Sequence, residues 1–269
     1  MTSSFGKLAA GFKNLLGSNK NAAPASDNKK AVEVVSEETL KAHALPFTIP
    51  LEHSVGTKVN DTPSVTICED FLTQAEVFQI IKAAGDKMQR ARVSSGKEGI
   101  ESAGRTGSNC WVAHDHNKVT HALAKRISKL VGISLQNAES FQVIHYGISQ
   151  EYSSHFDAWE FNTERGERCM ARGGQRLVTC LIYLNDVPAG GGTGFPELDL
   201  EVQAKKGRMV IFHNCYPGTN YRHPHSLHGG LPVEEGEKWA VNLWFREADY
   251  WAGTNKTVAP ARKKYGKVM

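Results

Sequence analysis

The chain has 269 residues, 40% of them hydrophobic and 22% charged, with a formal net charge of +4. That is enough apolar mass for one large domain with its own core, and so small and scattered a positive excess argues against a nucleic-acid partner. No apolar run approaches the ~18 residues of a membrane span, and five cysteines without close pairing (Cys68, Cys110, Cys169, Cys180, Cys215) read as reduced thiols of a cytoplasmic protein.

In residues 5–16, Phe5, Leu8, Ala9, Phe12, Leu15 and Leu16 recur at helical spacing. This is either a short amphipathic helix that docks on a partner or a membrane surface, or a frayed helix too short to persist alone. Lys13 interrupts the apolar stretch and no small-residue cleavage site follows, so a secretory signal is not expected. Residues 17 to 45 are polar and small, which completes a disordered N-terminal arm over 1–45. A domain over 46–250 is expected next, its core about 140–247, and then a basic, solvated tail over 251–269.

Within the domain, "SVTICEDFL" alternates as a strand does. A helix begins after Thr73, a plausible N-cap, with Phe78, Ile80, Ile81 and Ala84 at helical spacing. Residues 90–111 are rich in glycine and serine and read as a loop. A second helix carries Ala122, Leu123, Ile127, Leu130 and Val131 on one side and stops at Gly132. Strands then dominate: "ESFQVIHYG", "QRLVTCLIYLNDV", "LDLEVQAKKGRMVIFHN" and "KWAVNLWFRE". Helices first and strands later predict an α+β domain with the helices packed on one face of a β-sandwich or open barrel.

His155 and Asp157 stand two apart after a strand-like run. On a strand both side chains would face one way. The pair alone reads by default as a structural hydrogen bond. Four more histidines follow, His213, His223, His225 and His228, and Lys238 opens a strand whose alternate positions Trp239, Val241 and Leu243 are apolar. A lysine there is an exposed strand-edge residue, or an inward one that needs an anion. Two imidazoles and one carboxylate with open positions left over are the ligand set of non-haem Fe(II) oxygenases. A closed zinc site would want a fourth ligand, and no cysteine is spaced to give one.

Five segments in order carry a resemblance: "RTGSNCW" (105–111), "FQVIHYGISQEYSSHFD" (141–157), "LVTCLIYLNDVPAGGGTGFPEL" (177–198), "KKGRMVIFHN" (205–214) and "SLHGGLPVEEGEKWAVNLWFRE" (226–247). Over residues 60 to 248 the chain resembles the prolyl 4-hydroxylases of the Fe(II)- and 2-oxoglutarate-dependent dioxygenases. The resemblance implies a double-stranded β-helix, or jelly roll. It implies that His155, Asp157 and His228 bind Fe(2+), and that Lys238 pairs with the far carboxylate of 2-oxoglutarate. Tyr146, Tyr183, Thr179 and Trp244 would line that pocket. Arg105 and Trp111 would face a proline-containing peptide or protein. O2 is the co-reactant and L-ascorbate the reductant. The implied reaction hydroxylates a peptidyl proline at C4 and releases succinate and CO2. His223 and His225 are rival third ligands, but the HGG-x-P pattern and the lysine at 238 fit His228. The turn at Gly190, Gly191 and Gly192 lacks an acid that the family often carries, which predicts a looser loop. Loops 93–110 and 159–174 would set selectivity, the second as a lid or a plain solvated loop. The alternatives are the same chemistry on another side chain or a small molecule, and a non-catalytic jelly roll that keeps a metal for structure.

Overall fold

A computed structural model describes residues 35–94 and 100–252. The amphipathic segment at 5–16, most of the arm and nearly all of the tail lie outside the described residues.

Four helices are present among the described residues: α1 (Glu37–Ala42), α2 (Gln74–Ala84), α3 (Lys118–Val131) and α4 (Glu164–Met170). Thr73 caps α2 in a box with Glu76, the two side chains and backbone amides satisfying each other. Asn117 does the same for α3 with Thr120, and Gly132 ends it in the left-handed conformation, φ 71°. The buried stripe of α2 is Val77, Ile80, Ala83 and Ala84, whereas Phe78 is exposed. On α3 Ala124 rather than Ala122 is buried.

Several segments differ from expectation, among them the expected loop at 90–111, whose end is the strand Ser108–Val112. The arm gives way to structure ten residues early, because Ser36 caps α1 and the chain after it is pinned. His43 Nδ1 bonds Asn220 Oδ1 at 2.9 Å, and Leu45 N–H donates to Gly218 O at 2.8 Å. Loop 159–174 contains α4, capped by Thr163, whose hydroxyl accepts from Gly166 N–H.

The strands are β1 (Thr57–Asn60), β2 (Val65–Cys68), β3 (Gln89–Arg90), β4 (Ser108–Val112), β5 (Phe141–Tyr146), β6 (Tyr152–His155), β7 (Arg176–Tyr183), β8 (Ala189–Gly190), β9 (Thr193–Phe195), β10 (Leu200–Val202), β11 (Met209–His213), β12 (His228–Gly230), β13 (Val233–Glu235) and β14 (Lys238–Arg246). An eight-stranded antiparallel sheet runs β1-β2-β11-β7-β14-β5-β4-β3, a four-stranded sheet runs β10-β9-β12-β6, and β13 pairs with β8. The run expected as one long strand over 198–214 is broken at Gly207, φ 81°, into β10 and β11, which join different sheets.

The period of two sorts the core into two layers. Val178, Cys180 and Ile182 of β7, with Val241, Leu243 and Phe245 of β14, pack under α2 and α3. Leu181 and Tyr183 of β7, Ile144 and Tyr146 of β5 and Ala240 of β14 face the smaller sheet. This is the jelly roll with helices on one sheet. The parity fixes the sense of Lys238: it shares the inner face with Ala240, so it points between the sheets and is 2% exposed.

Candidate active site

Register brings the ligand set together. His155 ends β6, His228 opens β12, and their Cα positions pair directly across the smaller sheet. Gly229 permits this approach, since a Cβ there would meet Tyr152 O at 3.0 Å and Ser154 N at 3.1 Å. Asp157 lies just past the end of β6, so strand alternation does not aim it. Hydrogen bonds do. Its Oδ2 accepts from Thr179 Oγ1 and from Trp244 Nε1, each at 2.7 Å. One ligand atom from each of His155, Asp157 and His228 lies within 4.8 Å of the others. His155 Nε2 is 3.8 Å from Asp157 Oδ1, and His228 Nε2 is 3.5 Å from Oδ2.

The donor chemistry fits a metal. Ser153 O accepts from His155 Nδ1–H at 3.0 Å, and Ser226 O from His228 Nδ1–H at 2.9 Å. Each carbonyl fixes the tautomer and leaves Nε2 with its lone pair turned to the shared space. Burial, then His228, hold the His155 imidazole below its ordinary pKa. Burial pushes Asp157 up, but His228, Arg176, His155 and the Trp244 N–H outweigh it and keep the carboxyl below the usual carboxylate range. A neutral imidazole and an ionised carboxylate are the forms a cation binds. Of the rival histidines, His223 accepts at Nδ1 from His225 N–H and packs at a tilt against Tyr216, ring centroids 4.3 Å apart. His213 lies beside His53, ring centroids 6.3 Å apart. None of these joins the cluster with His155 and Asp157.

A cavity of about 170 Å³ opens in front of the three residues, and Lys238 forms part of its wall. Lys238 Nζ donates to Gly192 O at 3.1 Å and sits 5.3 Å from the Tyr183 ring centroid and 5.9 Å from that of Tyr146. It has no salt bridge to any described carboxylate, and burial pushes its ammonium down to about 7. A buried ammonium on aromatic faces with a single neutral acceptor is a receptor for an anion.

Comparison with known proteins bears on this arrangement. Residues 141–246 match the sequence model of the 2OG-Fe(II) oxygenase superfamily. Prolyl 4-hydroxylase 5 of Arabidopsis thaliana is 35% identical over 211 residues, covering 70% of each chain. A putative prolyl 4-hydroxylase of Acanthamoeba polyphaga mimivirus is 32% identical, covering 68% of this chain and 74% of its own. The chain belongs to the prolyl 4-hydroxylase family of Fe(II)- and 2-oxoglutarate-dependent dioxygenases. The viral collagen prolyl hydroxylase of Paramecium bursaria Chlorella virus-1, solved in complex with 2OG, superposes with a TM-score of 0.54 at 27% identity, covering 68% of this chain and 95% of that one.

In this prolyl 4-hydroxylase relative, Tyr146, Trp244, Arg105 and Trp111 all line the cavity. Thr179 and Tyr183 stand one layer behind it. Thr179 spends its hydroxyl on Asp157 and accepts from Asn214 Nδ2 at 2.9 Å. The Tyr183 hydroxyl is hydrogen-bonded to Thr193 Oγ1 at 2.7 Å and Val202 O at 3.0 Å. Arg105 is buried, donating to Gln142 Oε1 at 3.1 Å and stacking over Tyr152 at 4.6 Å, while Trp111 is half-exposed at the mouth. The glycine turn is strapped rather than loose: Gly191 N–H donates to Pro232 O at 2.7 Å, and Gly192 O accepts from Leu231 N–H as well as Lys238.

Several contributors were not legible in the sequence. Tyr152 stacks on the His155 ring at 3.6 Å. Arg176 donates twice to buried Glu139, at 2.6 and 2.9 Å, lies over Trp244 at 3.8 Å and brings Nη1 to 3.7 Å from Asp157 Oδ1. A tyrosine three residues before a histidine, or an arginine opening an apolar strand, carries no signal until the fold joins them.

Proposed function

We propose that this enzyme hydroxylates C4 of a peptidyl proline, with His155, Asp157 and His228 holding Fe(2+) and Lys238 holding the far carboxylate of 2-oxoglutarate. One observation carries the assignment: two Nε2 atoms and a carboxylate converge beside a buried lysine that no described carboxylate neutralises. Family membership supports the peptidyl substrate.

Bound iron would supply oxygen activation coupled to conversion of 2-oxoglutarate into succinate and CO2. The chain's own residues do the rest. Ser153 and Ser226 carbonyls orient the two imidazoles, and Thr179 and Trp244 orient the carboxylate. Lys238 gives the cosubstrate its charge partner in a dry wall, which selects a dicarboxylate of one length. Trp244, Phe212, Leu181 and Ile144 exclude water around the reacting atoms. Arg105 and Trp111 present the peptide. L-Ascorbate serves as the reductant that restores Fe(2+). Five free thiols support a reducing, cytoplasmic setting.

The test is succinate release by anaerobically purified protein given Fe(II), ascorbate, 2-oxoglutarate and a proline-rich peptide. The expected result is peptide-stimulated succinate with one oxygen added at proline C4. Oxygen on another residue, or turnover indifferent to every peptide, overturns the substrate assignment.

A further inference from the structure

A second groove, of about 540 Å³, lies beside the cavity and is lined by Lys87, Gln89, Arg90, Arg92, Glu101, Asn109, Cys110, Trp111 and Gln142. Arg92, Trp111 and Gln142 also line the cavity that holds the iron-ligand cluster, so the two spaces adjoin. The groove lies beside the half-exposed Trp111 and along β3, one of the two edge strands of the eight-stranded sheet. Its described charge is unbalanced: Lys87, Arg90 and Arg92 stand against Glu101 alone. None of the three cations makes a salt bridge among the described residues, although Arg126, Arg176, Arg208 and Arg222 all do. Two of them are held in place by backbone. Arg90 Nη1 donates to Thr106 O and Lys87 Nζ to Ala83 O, so their charge is displayed along the groove rather than swept through solvent.

We infer that this groove takes an acidic flank of the substrate: the peptide places its proline at the iron site and carboxylates of neighbouring residues on Lys87, Arg90 and Arg92. The inference rests on the peptidyl reading above and adds the substrate class. Trp111 is the ledge between the two sites, offering an apolar face to the chain as it leaves the cavity. Cations on an open groove act mainly on encounter and selectivity, and their effect falls as salt rises.

The experiment uses the full chain loaded with Mn(2+) and 2-oxoglutarate, and three fluorescein-labelled peptides with one central proline flanked by Glu, Gln or Lys. Anisotropy titrations at low and high salt give Kd, and mass spectrometry of the Fe(II)-loaded enzyme reports hydroxylation. Expected is binding of the Glu peptide about tenfold tighter than the Gln peptide at low salt, with the gap shrinking at high salt. The Lys87→Glu/Arg90→Glu double variant should reverse the order and prefer the Lys peptide, a gain that a merely damaged protein would not show. Equal affinities for the Glu and Gln peptides, or a preference that the double variant retains, would sink the inference. A charge-dependent preference without oxidation of the proline would overturn the prolyl reading and leave the groove assigned.

Discussion

Under the proposed assignment, Lys238 is the residue on which cosubstrate binding and stability pull in opposite directions. Its folded pKa of about 7 lies below the ordinary 10.5, so the unfolded chain binds the extra proton between those values. Stability of the cosubstrate-free protein therefore rises with pH from about 7 toward 10.5, and the full penalty is present below 7. Lys238→Met should raise the urea midpoint of that protein at pH 7, with the gain fading near pH 10. The same change should weaken 2-oxoglutarate roughly 100-fold, the scale for truncating one partner of a buried charge pair. For the unaltered enzyme, the Kd for 2-oxoglutarate measured by calorimetry should climb as pH rises above about 7, because binding then requires proton uptake. A flat profile would show that the ammonium is not the partner.

Also at this scale, Thr179→Val keeps the shape of the side chain but removes a donor from Asp157 Oδ2. Fe(II) affinity by anaerobic titration should drop about 10- to 100-fold, as is usual when a group orienting a metal ligand is lost. Because Thr179 stands behind the cavity wall, peptide affinity of the Mn(2+)-loaded protein should change far less.

Among elements, α2 and α3 were largely readable, since capping residues and a 3.6-residue period are local signals. The errors at Phe78 and Ala122 share one cause. At about 100° per residue both lie on the side of their helix away from the buried stripe, so apolar type rather than spacing placed them in the expected set, and the sheet beneath decides which face is covered. α3 contributes Leu123, Ala124, Ile127 and Val131 to the helix-side core and nothing to the cavity. Asn117→Ala should thus cost about 1 kcal/mol in urea unfolding and leave the 2-oxoglutarate Kd unchanged. A shift in Kd would mean that the helix layer is coupled to the site.

Over the whole molecule, acid sensitivity comes from buried imidazoles remote from the iron ligands. Burial, then neighbouring His53, lower His213 to about 4, and its Nε2 has no hydrogen-bond partner in the described structure. The unfolded chain binds this proton near the ordinary 6.5, so stability falls as pH drops from 6.5 and the loss is complete below about 4. His213→Gln should flatten that part of the curve of urea midpoint against pH. An unchanged slope would assign the acid sensitivity to other groups.

The division between sequence and tertiary structure follows from range. Local chemistry determined the capped helices, the alternating strands and the candidate ligands. His155 with Asp157, and the lysine beyond His228, were visible because the spacing is short and the residue types are rare in such settings. The motif around His228 already favoured it among the four downstream histidines; the folded sheets show why, since β12 pairs with β6 more than 70 residues away in the chain and sets His228 directly opposite His155. They also decided that Thr179 orients Asp157 instead of lining the pocket, and that Arg176 and Tyr152 belong to the site at all. Side-chain parity can be read along a strand, but which face is covered, and by what, is set by the sheet packed against it.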